Sequence, residues 1–304
     1  SMGKQKTGFF SSYIDYFVSV QLSYILSKVG LISDIHEELY ENFSHSAEDK
    51  ENIIPDLSDW PRELSFNVLS RLDATDLCLA ACVWEQLACD NILWRRLCQK
   101  TWNYVPSYDD DHVSYRKLYL MLDEATLTFN SDAQEGLDYL IGHEILHDDP
   151  KEIALFIVNT KRLCPYQVRK LVDKRPTTLD SIVGVQDYCQ EFLPTALRKL
   201  FQIIEVGSSG DHCLERLLEL FSWRYWQCNS NLGLNPDHIY ILCFSLVILS
   251  VDLTSPNIKN KMSKREFIRN IRHAVNRVDD DLSGHLYDNI YLNGHVVGSG
   301  VNWR

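Results

Sequence analysis

The chain has 304 residues, of which 45% are hydrophobic and 24% are charged, and its formal net charge is -12 at pH 7. These values place it among soluble globular proteins and allow two compact domains and a tail. Because binding many phosphates needs a dense positive surface, the charge argues against a nucleic-acid-binding protein.

The nine cysteines favour a reducing, intracellular environment. Their number is odd, and no C-x-x-C pair is present, so a disulfide framework is not expected. Cys78, Cys82 and Cys89 are spaced as on one helical face and are predicted to be buried free thiols. We expect no bound metal and no cofactor.

Residues 1–56 are predicted to form an N-terminal arm and linker. Its most apolar stretch, Phe9 to Ile32, is interrupted by polar and charged residues, which argues against a membrane span. If Ser1 is a cloning remnant, the segment from Met2 fits the pattern for myristoylation of Gly3. The alternative is an amphipathic or partly ordered arm.

Residues 57–102 have apolar side chains at helical spacing, which predicts three short helices. Asp76 is the predicted N-cap of the second helix, and Pro61 suits the first turn of the first helix. A unit this short exposes more apolar surface than it can bury, so it needs another surface to cover it.

This segment, from Trp60-Pro61-Arg62-Glu63-Leu64 to Leu93-Trp94, resembles the F-box. It departs from that family at Trp84-Glu85-Gln86, where Cys-Lys usually precedes the tryptophan. The resemblance implies docking on the Skp adaptor of a cullin-RING ubiquitin ligase; the alternative is a helical bundle packed on the second domain. The implied adaptor contacts are Pro61, Leu64, Leu69, Leu72, Leu77, Trp84, Leu93 and Trp94.

Residues 103–128 are predicted to connect this module to a second domain, 129–292, followed by a tail, 293–304. Proline and glycine separate the helical segments of the second domain, with no useful run of alternating polarity. We therefore predict an all-α fold.

Several segments of the second domain together match the pattern of a known family. They include Glu135 to Leu140, Pro150 to Phe156, Ala196-Leu197-Arg198, Phe221 to Asn229, Tyr240 to Leu246 and Leu286-Tyr287-Asp288. In these segments the domain resembles the Sec-seven (Sec7) domain, the exchange factor of Arf GTPases. The resemblance implies an all-helical right-handed superhelix that binds an Arf-family GTPase.

Exchange in this family needs a glutamate at a loop tip, which repels the β-phosphate and displaces Mg²⁺. Counted back from Arg224-Tyr225, that position falls on Gly210, so the carboxylate is absent. Asp211 is the candidate substitute, but one residue turns a helical side chain by about 100 degrees. Weak or lost exchange activity is expected, and exchange through Asp211 is the alternative.

The family's GTPase-binding groove corresponds here to a segment whose polar residues are replaced. The predicted Arf-binding residues are Tyr240, Val247, Ile248, Leu249, Ser250 and Ser255. The apolar members could accept the hydrophobic switch residues of a GTPase. For Val247 and Leu249, a place in the helix core is the alternative.

A basic patch comprises Lys259, Lys261, Lys264, Arg265, Arg269 and Arg272, followed by Arg277. Such a patch could meet an anionic membrane or an acidic partner, and the alternative is a solvated helix face.

The segment His143-Glu144-Ile145-Leu146-His147 spells a zinc-peptidase motif. No third ligand follows it, however, and Pro150 interrupts the helix.

The sequence therefore predicts a cytoplasmic substrate receptor without intrinsic catalysis. The prediction includes peripheral contact of this receptor with membranes. Its partners would be the Skp adaptor with its cullin-RING ligase and an Arf-family GTPase, and not nucleic acid. The alternatives are an Arf exchange factor and a zinc hydrolase.

Overall fold

The computed structural model describes residues 20–30, 57–102, 114–206 and 212–297. Across these ranges every regular element is helical, which confirms the predicted all-α fold. Two compact units are present, Ser1–Met121 and Leu122–Arg304. Gly3 and the rest of the predicted N-terminal arm before residue 20 lie outside the described residues.

Between residues 57 and 102 the structure has four helices, whereas the sequence predicted three. Residues 20–28 form α1 ahead of them, and Leu57–Asp59 forms a 3-10 turn. A one-turn helix after Trp84 accounts for the extra element. The helices are α2 (Arg62–Leu69), α3 (Ala74–Ala81), α4 (Glu85–Ala88) and α5 (Asn91–Thr101).

Both predicted helix starts in this unit are corrected. Pro61 is the N-cap of α2 and lies one residue before its first turn. Asp73 caps α3, since its carboxylate accepts the N–H of Asp76 at 2.9 Å. Asp76 therefore lies in the first turn, where it accepts the Tyr24 hydroxyl at 3.0 Å and pairs with Lys28 at 3.3 Å.

Two tryptophans form the centre of the first unit. Trp94 is fully buried and donates its indole N–H to the carbonyl of Ala88 at 2.8 Å. The ring of Tyr119 packs edge-on against both Trp94 and Trp102, with centroid distances of 5.4 and 4.9 Å. Such pairs add stability beyond their buried area.

The predicted burial of Cys78, Cys82 and Cys89 is wrong, although all three are free thiols. Cys82 is exposed, and Cys78 and Cys89 are half-buried. Cys78 belongs to α3, whereas Cys89 follows α4, so the break at Trp84 prevents a single cysteine-bearing face. All nine cysteines are free thiols.

Helix α6 runs continuously over Tyr115–Ser131, and the boundary between the two units falls within it. The sequence indicated a connecting segment over residues 103–128. The continuous helix is explained by Leu118, Leu122, Ala125 and Phe129, which are all buried and recur every three or four residues.

The second unit continues as nine further helices among the described residues. They are α7 (Ala133–Gly142), α8 (Pro150–Asn159), α9 (Pro165–Lys174), α10 (Pro176–Gly184), α11 (Leu193–Phe201), α12 (His212–Cys228), α13 (Pro236–Thr254), α14 (Lys264–Ala274) and α15 (Asp280–Asn293). Proline stands in the first turn of α8 to α11 and of α13, at the interruptions that the sequence predicted.

Helix α13 is the central helix of this unit. It packs against α11, α12, α14 and α15, and its 19 residues are long and apolar enough to cross a membrane by length and composition alone. Leu242, Cys243, Leu246 and Leu249 are at most 1% exposed. Packing within the unit accounts for this apolar composition.

Gly136 is required where α6 turns into α7. A Cβ atom added there would lie 2.4 Å from the Cα atom of Phe129, so the backbone of one helix would have to shift. Gly136→Ala is expected to destabilise the second unit by about 1–3 kcal/mol, as overpacking does.

Gly142→Ala is the matched control, because an added Cβ meets nothing within 4 Å there. Chemical unfolding, followed by circular dichroism, measures both changes. Equal unfolding midpoints for Gly136→Ala and Gly142→Ala would contradict the assigned helix contact.

Candidate functional site

The predicted adaptor-binding residues divide into core and surface. Six of them are at most 3% exposed, and their side chains are therefore unavailable to a partner as the module stands. Pro61 is exposed, and Leu64 is 54% exposed. The F-box resemblance implied these residues as contacts, but an apolar motif position does not show whether the module's own core or a partner covers it. The six are Leu69, Leu72, Leu77, Trp84, Leu93 and Trp94.

Two other exposed apolar residues were missed, Leu79 of α3 and Ile92 of α5, at 44% and 60% exposure. The Arg62 guanidinium donates to the carboxylate of Asp90 at 2.9 Å, so the starts of α2 and α5 are adjacent. Leu64 lies two residues after Arg62, and Ile92 lies two residues after Asp90. The F-box-like module thus presents exposed leucine and isoleucine side chains at neighbouring helix starts.

The predicted loop-tip residues, Gly210 and Asp211, lie outside the described residues. The last described residue before them, Val206, is buried, and α12 begins at His212. The backbone N–H of Glu205 donates to the carbonyl of Pro165 at 3.2 Å, which fixes the chain at this point.

The predicted groove residues on α13 also divide by burial. Val247, Leu249 and Ser250 are at most 2% exposed and belong to the helix core. Ile248 is 46% exposed, while Tyr240 and Ser255 are half-buried. Sequence reasoning missed Phe244, at 42% exposure. Its position four residues after Tyr240 and four before Ile248 was the signal that could have found it.

Tyr240, Phe244 and Ile248 form the α13 stripe, an outward-facing apolar row. The rings of Tyr240 and Phe244 are nearly parallel, with centroids 6.4 Å apart. Burial raises the pKa of Tyr240, and the nearby carboxylates of Glu215 and Glu219 on α12 raise it further. An apolar row beside acidic side chains suits a partner surface that is apolar with a basic margin.

The carboxyl end of α13 is held by the chain that follows it. The Lys261 ammonium donates to the carbonyls of Asp252, at 2.6 Å, and Ser255. The Asp252 carboxylate accepts the N–H of Met262 at 2.7 Å. These polar groups are therefore satisfied internally, and the α13 stripe is left as the apolar surface of this helix.

The basic patch is partly neutralised. Lys264 pairs with Asp288 at 2.6 Å, and Arg272 pairs with Asp280. Lys261 is engaged at the end of α13, as described above. The remaining cations, Lys259, Arg265, Arg269 and Arg277, are exposed. Membrane contact and cytoplasmic localisation stay predictions.

The zinc-peptidase motif is not helical. Helix α7 ends at Gly142, and Glu144 has a φ of 57°, the left-handed conformation, which breaks the two-histidine face that the motif needs. The Nδ1 atom of His147 lies 3.0 Å from the carboxylate of Glu152. The thiol-rich group formed by Asp187, Cys189 and Cys228 is a separate cluster in the second unit.

The residues that matched the Sec7 pattern mainly hold the helices together. Arg224 donates to the carbonyl of Gln186 at 2.8 Å, and the Tyr225 hydroxyl donates to the carbonyl of Glu191 at 2.8 Å. The Arg198 guanidinium ties α11 to the end of α15 and beyond: it donates to the Asn289 amide oxygen, the Gly294 carbonyl and the His295 carbonyl at 2.7–3.1 Å.

The Sec7 domain family profile matches residues 119–294, and the F-box-like profile matches residues 57–100. The chain is 50% identical over 244 residues to F-box only protein 8 of Mus musculus, across 78% of this chain and 76% of that protein. These matches confirm both family resemblances.

Two further similarities concern the Sec7 domain. The ADP-ribosylation factor guanine nucleotide-exchange factor sec72 of Schizosaccharomyces pombe is 33% identical over 184 residues, across 54% of this chain and 9% of that protein. The solved Sec7p catalytic domain is 28% identical with a TM-score of 0.52, across 57% of this chain and 97% of that chain.

Arg198→Lys is expected to destabilise the second unit by about 1–2 kcal/mol, because an ammonium cannot reproduce the fork of guanidinium donors. Arg265→Lys is the control, since its exposed side chain predicts a change within about 0.5 kcal/mol. Thermal unfolding measures both. An Arg198→Lys melting curve that matches the wild type would contradict this anchoring role.

Proposed function

Since the chain belongs to the Sec7 domain family, with an F-box-like module ahead of that domain, we propose that it is a substrate-recognition subunit of a Skp-cullin-F-box ubiquitin ligase. Its Sec7 domain captures an Arf-family GTPase and brings it to the ligase. Transfer of ubiquitin belongs to the other ligase subunits, and the chain itself needs no cofactor for capture.

The exposed side chains of the F-box-like module support adaptor binding. Leu64 and Ile92 lie at helix starts that the Arg62–Asp90 ion pair holds together, and each leaves about half or more of its side chain in solvent. Burying such residues against a partner is favourable by about 1.5–3 kcal/mol each. The tightly packed core behind them provides a rigid docking surface.

The α13 stripe is the observation that carries GTPase capture. Aromatic and aliphatic side chains in a row on a rigid helix are what a hydrophobic partner surface needs for affinity. The name of the yeast relative sec72 assigns it an ADP-ribosylation factor as its substrate, which favours the same class of partner here.

The sequence at the loop tip favours capture without exchange. A carboxylate is what pushes the β-phosphate and its Mg²⁺ out of a GTPase, and Gly210 has no side chain to supply it. The alternative function is an Arf exchange factor that uses Asp211, the neighbouring carboxylate. The family membership is compatible with either function.

Phe244→Asp and Ile248→Asp are each expected to weaken Arf binding by about 2 kcal/mol or more, roughly thirtyfold in Kd, because each places a charge in an apolar contact. Tyr291→Asp is the control, since Tyr291 is 68% exposed on another helix. Titration calorimetry with GDP-loaded and GTP-analogue-loaded Arf measures the change. Binding that is unaffected by both stripe variants would contradict the proposal.

A nucleotide-release assay on the same Arf separates the two functions. Wild-type protein at catalytic concentration is expected to leave the rate of nucleotide release from Arf unchanged. The Asp211→Lys variant is expected to have the same lack of effect. Fast release by the wild type that Asp211→Lys abolishes would establish the exchange factor and remove the capture-only function.

Leu64→Asp and Ile92→Asp are each expected to reduce binding to purified Skp adaptor by at least about tenfold, which corresponds to 1.4 kcal/mol. Leu127→Asp, at a 59% exposed leucine of the second unit, is the matched control. Adaptor binding that survives both module variants, or that Leu127→Asp removes equally, would contradict docking through this surface.

A further inference from the structure

Three potential metal ligands meet in the second unit, two from one loop and the third about 40 residues later in the chain. The carboxylate of Asp187 and the thiols of Cys189 and Cys228 all lie within 4.8 Å of one another. Asp187 and Cys189 belong to the 185–192 loop between α10 and α11, and Cys228 is the last residue of α12. The sequence offered no C-x-x-C pair, so this cluster appears only in the fold.

Asn229 holds the loop in place beside Cys228. Its amide nitrogen donates to the carbonyl of Tyr188 at 2.9 Å, and its amide oxygen accepts the N–H of Gln190 at 2.9 Å. Cys189 is therefore held from both sides along the backbone. Gln190 has a φ of 58°, a left-handed conformation that this contact stabilises.

We propose that Asp187, Cys189 and Cys228 form a binding site for a soft divalent cation of the Zn²⁺ class, with a fourth position open to solvent. Two thiolates and one carboxylate are a donor set that Zn²⁺ accepts. Tetrahedral coordination with Zn–S bonds of about 2.3 Å places ligand atoms roughly 3.8 Å apart. Side-chain rotation alone can bring donors within 4.8 Å to that spacing.

The charges around the cluster suit a site with three anionic ligands. The backbone N–H of Cys189 donates to the Asp187 carboxylate at 3.0 Å, and the Lys199 ammonium donates to the Asp187 carbonyl at 3.1 Å. Lys199 also pairs with the Glu191 carboxylate at 2.9 Å, so it offsets only part of the net negative charge that a divalent ion would leave on three anionic ligands.

An ion can reach the cluster from solvent. Asp187 and Cys189 are exposed, and Cys228 is half-buried. A cation that binds here must displace the thiol protons, because the thiolate is the metal ligand.

Co²⁺ titration of the full chain, kept reduced by a phosphine, tests the proposal. Thiolate-to-cobalt charge-transfer absorption is expected to saturate at one ion per chain and to be bleached by added Zn²⁺. Cys189→Ser is expected to abolish this absorption, and because Cys189 is exposed, the variant should keep its helical circular dichroism. Cys228→Ser and Asp187→Asn, which each remove one of the other two ligands, are each expected to weaken Co²⁺ binding.

Two control variants separate this site from other thiols and from the zinc-peptidase motif. Cys82→Ser removes another exposed cysteine, in the first unit, and His143→Ala removes a motif histidine. Both are expected to keep the full absorption. Its absence from the reduced wild type, its persistence in Cys189→Ser, or its loss in Cys82→Ser would each overturn the proposal, which stands independently of GTPase capture.

Discussion

The packing of α13 is the constraint from which the functional surfaces of the Sec7 domain follow. Four helices surround it, and Leu242, Cys243, Leu246 and Leu249 are consequently removed from water. Only the side that its neighbours leave uncovered can meet a partner, and that side carries Tyr240, Phe244 and Ile248. The same packing fixes the neighbouring α12, which begins at His212 and ends at Cys228.

The features predictable from sequence are those set by local chemistry. Prolines identified helix starts of the second unit because a missing N–H acts within one turn. Apolar spacing identified helices, but the F-box resemblance led us to assign Leu69 and Trp94 to a docking surface, and the structure buries both, since covering a face depends on residues distant in the chain. Phe244 was overlooked for the same reason, although its spacing from Ile248 was available. The meeting of Cys189 with Cys228 depends wholly on tertiary structure.

Capture and exchange place different demands on one GTPase-binding surface. An exchange factor must bind the nucleotide-free state more tightly than the nucleotide-bound state, because only differential affinity shifts that equilibrium. The loop-tip carboxylate creates the difference by opposing the phosphate and its Mg²⁺. With glycine at that position, the proposed capture would rest on the remaining apolar contacts, which give affinity without opposing the nucleotide. Under the proposed function, the Sec7 domain would hold an intact GTPase, and the F-box-like module would connect it to the subunit that modifies it.

The thiol cluster lies at the carboxyl end of α12, and His212 is at the other end of this helix. Seventeen helical residues span about 25 Å, so a cation at Cys228 would exert no direct charge effect on a ligand beside His212. Its influence would instead be structural. A ligand that binds only the folded state stabilises it in proportion to the logarithm of its free concentration over Kd. Here that stabilisation would reinforce the contact that Asn229 already makes with the 185–192 loop, and so secure the end of α12 whose packing holds the α13 stripe in position.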